Sequence, residues 1–407
     1  MKRVYLDFAA TTPLDKAVFK IMRPYFSEYF GNPGAIHSFG QEAMKAIDQS
    51  REKIIRLLGG NILEDFRNVI FTGSATEANN LALRGSVKEF YNLKRSDKYL
   101  PVKIIVSNME HDSVLKTAED LEAEGIEVVY LPVDRKGLVD IGKLKASLDQ
   151  RTALVSVHYV NNETGVMEPI MEIGKIIKSF RENLGSKEIF PLFHSDCVQA
   201  FQYFDCSPKT IGADLITLSG HKMFGPKGVG VLYFDRIVSG RERQAGKIIG
   251  LKPILTGGGQ EFGLRSGTEN VPGIVGLTAA AEISDRKRKE SFKKVLGLRD
   301  YFAKNLKTLD RKITLNTPLE KSSPHILNIR FQGISSEEMI GRLDLLGIAA
   351  SAGSACSSRS LTLSHSLLAT GLPEKETAES VRFSFSRETK KSDLAAGLKA
   401  IKKILEG

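Results

Sequence analysis

The stretch ADLITLSGHKMFGPKGVGVLYF, residues 213–234, is where the fold class is read. ADLITLS (213–219) and GVGVLYF (228–234) are runs of strand-forming residues, and glycine, proline and serine crowd the turn between them. The turn carries Lys222 directly behind the first run, in the order Ser-Gly-His-Lys. A lysine at a strand end has two readings. It is a surface amine whose stem lies along apolar neighbours, or a desolvated amine poised as a nucleophile. The rest of the chain decides between them.

Further apolar runs precede this one: NVIFTG (68–73), KIIVSN (103–108), EVVYLP (127–132), ALVSVHYV (153–160) and IFPLFHSD (189–196). Stretches of helical period separate most of them, as at 113–124 and 170–183. Strand–helix alternation predicts an α/β domain with a mainly parallel central sheet and helices on both faces. Ligands of such sheets sit beyond the carboxyl ends of the strands. After about residue 270 the pattern changes. A long helical region runs to about 309, then come HILNIRF (325–331), SSEEMIGRLDLLG (335–347), SVRFSFS (380–386) and a basic carboxyl-terminal helix. This reads as a smaller α+β domain. The expected division is 15–268 for the large domain, with 1–14 and 269–407 forming the small one. KEFYNLKRSDKYLPVK (88–103) reads as a polar surface insertion.

The chain has 407 residues, of which 42% are hydrophobic, enough for two cores. No apolar run approaches the roughly 20 residues of a membrane helix. In MKRVYLDFAATTP the start is basic, but Asp7 interrupts any signal-like apolar stretch. The three cysteines, Cys197, Cys206 and Cys356, are sparse and odd in number, which suits a reducing cytoplasm. The net charge of +10 comes from scattered residues with no nucleic-acid-reading motif, so no nucleic acid is expected. The basic surface is solvated or meets an acidic protein.

Four strand ends carry polar groups. TGSATEANN (72–80) joins a strand to a helix. Its small residues, Thr76 and the free N–H groups of the helix make an anion cradle, or an ordinary turn with a threonine cap. In HSDCVQA (194–200), Asp196 ends an apolar strand and needs a partner. NMEHDSV (108–114) puts His111 just behind a strand, as a cap, a core residue or a catalyst. Lys222 is the fourth. An Asp at one strand end and a Lys at the next suit pyridoxal phosphate: the lysine forms the Schiff base and the carboxylate keeps the pyridine nitrogen protonated. No P-loop sequence is present, and LTGGGQEFG is too loose for a dinucleotide fingerprint.

At this point the sequence resembles the cysteine desulfurases of the NifS/IscS type, within the class V aminotransferase group of fold type I pyridoxal-phosphate enzymes. The likeness runs nearly end to end through YLDFAATTP, GNPGAIHSFG, FTGSATEANNLAL, EHDSVL, VNNETGV, HSDCVQ, SGHKMFGPKGVG, GGGQEFGLRSGTEN, GSACSS and VRFSFSR. The order SGHK, RSGT, GSAC is its most specific part. The phosphate turn departs from the family in reading Gly73-Ser74.

The resemblance implies a fold type I transferase that converts L-cysteine to L-alanine and keeps the sulfur on an enzyme cysteine as a persulfide. It implies that Lys222 bonds the cofactor, that Asp196 meets the pyridine nitrogen and that Gln199 meets the phenolic oxygen. His111 stacks on the ring. Ala75, Thr76, Ser219 and His221 hold the phosphate, with Thr268 reaching the phosphate of the other subunit of a homodimer. Asn162 borders cofactor and substrate, Arg382 binds the substrate carboxylate, and Cys356 accepts the sulfur. No metal is implied. SAGSACSSRS (351–360) suits a thiolate that reaches the ring and then carries sulfur outward, to an iron–sulfur scaffold or another carrier. Cys197 and Cys206 are expected to be structural. A selenocysteine lyase or another class V enzyme, and a catalytically silent scaffold homologue, are the competing readings. The GSAC loop argues against an aminotransferase, and the intact Lys222, Asp196, His111 and Cys356 argue against a silent homologue.

Overall fold

The structure, a computed structural model, describes residues 3–93, 101–185, 188–235, 250–353 and 363–406. Its strands are β1 (Val4–Tyr5), β2 (Val69–Thr72), β3 (Lys103–Ser107), β4 (Glu127–Leu131), β5 (Thr152–Ser156), β6 (Leu192–Asp196), β7 (Leu215–Ser219), β8 (Gly230–Phe234), β9 (Ile313–Leu315), β10 (Ile326–Phe331), β11 (Ile348–Ala349) and β12 (Ser380–Ser384). Seven of them form one sheet in the order β2-β8-β7-β6-β5-β3-β4. β8 runs antiparallel to both neighbours and the other pairs are parallel. The carboxyl ends of β2, β3, β5, β6 and β7 therefore share one edge of the sheet.

Successive strand residues point to opposite faces, and both faces are covered. Phe71, Ile105, Val155, Phe193, Ile216 and Val231 face one apolar cluster, which also takes Ile170, Ile173 and Ile177 from the helix Ile170–Leu184. Their neighbours Ile70, Ile104, Leu154, Leu192, Leu215 and Leu232 face the other, against Leu81 and Phe90 of the helix Ala75–Leu93 and Val114 and Leu121 of the helix Asp112–Ala123. Burial on both sides is why these strands read as near-continuous hydrophobic runs.

A third cluster joins Val4, Leu6, Phe302, Leu327, Ile329, Phe383 and Ile401. It lies among the antiparallel strands β9, β10 and β12, the parallel pair β1–β11, and the helices Ser336–Leu345 and Lys391–Leu405. The helix Val271–Leu309 bridges two cores: Ile274 and Leu277 pack in the first cluster, Val295 and Phe302 in the third. No helix among the described residues is long and apolar enough to cross a membrane.

Three sequence expectations change. The run 153–160 stops pairing with β3 after Ser156, where the His158 N–H turns to the Glu110 carboxylate at 2.7 Å, while the Val157 and Tyr159 N–H groups still bond to the β6 carbonyls of His194 and Asp196. The run 189–196 enters it only at Leu192, because Pro191 has no N–H for a ladder. The proposed polar insertion 88–103 is structural at both ends. The helix continues to Leu93 with Glu89 and Phe90 buried, and Val102 and Lys103 are buried at the start of β3. Residues 94–100 lie outside the described residues.

Candidate active site

A cavity of about 350 Å³ opens at the shared carboxyl edge of the sheet. It is lined by Ala75 and Thr76 behind β2, His111 behind β3, Asn162 beyond β5, Asp196 and Gln199 at β6, Ser219, His221 and Lys222 at β7, and Arg382 from β12. Ten of the twelve residues singled out from the sequence thus meet in one place. Thr268 is exposed and does not line the cavity of its own chain. Cys356 lies outside the described residues.

Lys222 closes a short 3-10 turn directly behind β7. The turn is built from glycines. A Cβ on Gly220 would lie 2.7 Å from the Pro226 carbonyl, and one on Gly225 would lie 2.8 Å from the Gly220 carbonyl. Lys222 Nζ donates to the carbonyls of Ala9 (2.6 Å) and Ala10 (2.8 Å), which arrive from the amino-terminal DFAATTP segment. Gln199 Nε2 donates to the same Ala9 carbonyl at 3.0 Å. His325 Nε2 contacts Gln199 Oε1 at 3.1 Å, and His325 Nδ1 contacts Ser323 Oγ at 2.5 Å. Burial, with Arg382 and Lys222 nearby, pushes the His325 imidazole down to about 3, so it is neutral.

Opposite the lysine turn, Asp196 accepts from the Val198 N–H at 2.9 Å and from Asn79 Nδ2 at 2.8 Å. His111 is the N-cap of the helix Asp112–Ala123 and also lines the cavity. Burial holds its imidazole below the ordinary value, against the pull of Asp196. His221 meets Thr11 Oγ1 at 3.1 Å. Burial, Lys222 and Lys227 push it down to about 4.

The turn before the helix Ala75–Leu93 explains the Gly73-Ser74 order. Ser74 Oγ accepts the Glu77 N–H at 3.1 Å, and Glu77 Oε2 accepts the Gly73 N–H at 2.8 Å. Ser74 therefore caps the helix start, and Ser74, Ala75 and Thr76 all line the cavity. Gly230 opens β8 beneath this turn, where a Cβ would lie 2.6 Å from the Ser74 carbonyl carbon.

Arg382 is buried, donating to the Asn162 carbonyl at 2.8 Å and to Asp7 Oδ1 at 2.9 Å. Its Nε has no hydrogen-bond partner among the described residues. Cys197 and Cys206 are buried free thiols. Burial pushes the Cys197 thiol well up, away from reactivity.

A family model for class-V aminotransferases matches residues 4–396. The chain belongs to the class-V aminotransferase family. Among its relatives, the cysteine desulfurase IscS of Dictyoglomus turgidum is 40% identical over 407 residues, covering 100% of this chain and 95% of that protein. The putative cysteine desulfurase IscS 1 of Bacillus subtilis is 41% identical over 386 residues, covering 95% and 94%. A solved NifS-like protein superposes with a TM-score of 0.86 at 32% identity, covering 99% of both chains. This class-V aminotransferase thus groups with the NifS/IscS-type cysteine desulfurases and has their fold type I architecture.

The cofactor of the family is pyridoxal 5′-phosphate, and this chain's donor set fits it. An amine, a buried carboxylate and the amino end of a long helix surround a cavity large enough for a small ligand.

Sequence reasoning missed the residues behind these. Asn79 and Ser113 tie Asp196 to His111. Asp7 pairs with Arg382, and His325 backs Gln199. Glu110 lies 3.0 Å from His158 Nδ1 in the cavity wall. Burial raises the Glu110 carboxyl against the pull of His158. For His158 burial acts downward, but Glu110 and Glu168 outweigh it and hold the imidazole above its ordinary value. EHDSVL and YLDFAATTP contain Glu110, Ser113 and Asp7, so the motifs were visible while the individual contacts were not.

Proposed function

We propose that this class-V aminotransferase is a cysteine desulfurase that converts L-cysteine to L-alanine and takes the sulfur onto Cys356. The observation that carries the reading is one cavity holding the Lys222 amine, the Asp196 carboxylate and the Arg382 guanidinium, in a chain whose relatives are cysteine desulfurases. When bound, pyridoxal phosphate bonds the substrate amine and draws electrons from its α-carbon.

The chain's own residues divide the remaining work. Ala75, Thr76, Ser219 and His221 hold the phosphate at the helix start. Asp196 would keep the pyridine nitrogen protonated, Gln199 would donate to the phenolic oxygen, and His111 would cover the ring. Arg382, fixed by Asp7, binds the substrate carboxylate through its remaining N–H groups, and Asn162 borders the substrate. Lys222 moves the α-proton as general acid and base. The Cys356 thiolate attacks the substrate sulfur. An S–S bond forms, the Cβ–S bond breaks with its electrons staying on carbon, and a proton completes the methyl group of alanine. Cysteine and one thiol thus give alanine and one persulfide, with no external oxidant.

A homodimer completes the site, with Thr268 reaching the partner's phosphate. Its support is an exposed apolar run near the amino end, with Phe26 at 61%, Phe30 at 65% and Ile36 at 91% exposure. The division into 15–268 and 1–14 with 269–407 is supported by the third apolar cluster, which takes Val4 and Leu6 together with residues from 295 onward. The persulfide passes to a sulfur-acceptor protein in the cytoplasm, an iron–sulfur scaffold or another carrier. Purified enzyme given cysteine and a reductant should release alanine and sulfide in equal amounts. Sulfide without alanine would refute the reaction.

A further inference from the structure

Asn79 sits on the helix Ala75–Leu93, fully buried. Its amide nitrogen carries two hydrogens, and each has an acceptor: Asp196 Oδ2 at 2.8 Å and Ser113 Oγ at 2.8 Å. The reverse placement of the amide would set its carbonyl oxygen against the Asp196 carboxylate, so the observed placement is the chemically sensible one. Its Oδ1 has no partner among the described residues, so donors alone hold the side chain. Ser113 Oγ accepts from Asn79 and retains one hydrogen to give. Its other neighbour is His111 Nδ1, at 2.8 Å.

The same nitrogen accepts the Ser113 backbone N–H at 3.1 Å. A backbone N–H only donates, so His111 Nδ1 presents a lone pair and carries no proton. The neutral ring then has its proton on Nε2. The charged and titratable groups around the ring act in both directions: Asp196 and Asp112 favour a cation, Lys222 and His365 oppose it, and burial opposes it most.

We propose that Asn79 is a positioning residue: through Ser113 it holds His111 as the neutral Nε2–H tautomer, and with its second hydrogen it fixes Asp196. His111 then meets the cavity as a hydrogen-bond donor, and Lys222 is left as the base for the substrate proton. The proposal rests on the reading that His111 and Asp196 border pyridoxal phosphate. One amide aligns both polar ends of that contact from behind.

The test is two-bond proton–nitrogen NMR on holoenzyme labelled with ¹⁵N-histidine, without substrate. The His111 resonance is the one of seven lost in His111→Gln. Wild type should give the Nε2–H pattern at pH 7. Ser113→Ala should raise the His111 protonation midpoint, because a donor opposing a proton on Nδ1 has gone. Asn79→Leu should move the His111 signals and also weaken cofactor binding about tenfold, since a hydrogen bond to a charged group is lost. An Nδ1–H or cationic His111 in wild type would overturn the proposal. So would His111 signals unmoved in Ser113→Ala, which decides the matter if Asn79→Leu does not fold. Failure to make alanine from cysteine would instead sink the proposed reaction and leave the tautomer standing.

Discussion

Lys222 Nζ is held between two backbone carbonyls, those of Ala9 and Ala10, from the opposite end of the chain. The contact orients the amine. Lys222→Ala should therefore fold, because the glycine-built turn does not depend on the side chain, and should lose all turnover. Borohydride reduction followed by peptide mass mapping checks it: wild type should carry the cofactor at Lys222 and the variant at no single lysine. The residue was legible because a lysine directly behind an apolar strand asks for a reason. Asn79 and His158 were not. A polar residue within a helix pattern reads as solvent-facing, and His158 lay within a run read as strand. Only the packing of helix on sheet brings Asn79 to Asp196 and His158 to Glu110.

At the scale of elements, β6 is stitched to both neighbours by one side chain. His194 meets Ser156 Oγ on β5 at 2.8 Å and Thr217 Oγ1 on β7 at 3.0 Å. Burial pushes its imidazole down to about 4, against a weaker pull from Asp196. Its folded value lies below the unfolded value of about 6.5, so the native state binds fewer protons below that pH. The stabilisation is complete above about 6.5 and is lost as pH falls toward 4. The stability gap between wild type and His194→Gln should shrink by about 2–3 kcal/mol between pH 6.5 and 4.5, as read by urea unfolding. A gap that widens over that range would contradict the neutral, buried assignment. The strands were legible because burial on both faces leaves continuous apolar runs. Their ends were less so, because a proline at 191 and a side-chain acceptor for the His158 N–H are local details within the same apolar pattern. The helix running to Leu93 was read as insertion because its last turns are polar on one side and buried on the other.

At the scale of the whole molecule, the change of pattern near residue 270 was legible, and the chain crosses between cores on the helix Val271–Leu309. The exposed Phe30 and Ile36 face, together with the RSGTEN segment, predicts a homodimer. Ile36→Asp should favour the monomer and weaken cofactor retention, since Thr268 would no longer reach its partner's site. Sedimentation velocity with cofactor absorbance reads both, and a fully active monomer would contradict the shared site. The central claim is that the sulfur of cysteine comes to rest on Cys356. Enzyme given cysteine without a reductant, then digested and weighed by mass spectrometry, tests it most directly. The account predicts about one added sulfur atom on the peptide containing Cys356, by the one-acceptor logic of thiol exchange. It also predicts that Cys356→Ser binds the cofactor yet releases no alanine, because a serine hydroxyl stays protonated at neutral pH. Alanine production by Cys356→Ser at the wild-type rate, or the added sulfur on Cys197 or Cys206, would contradict it.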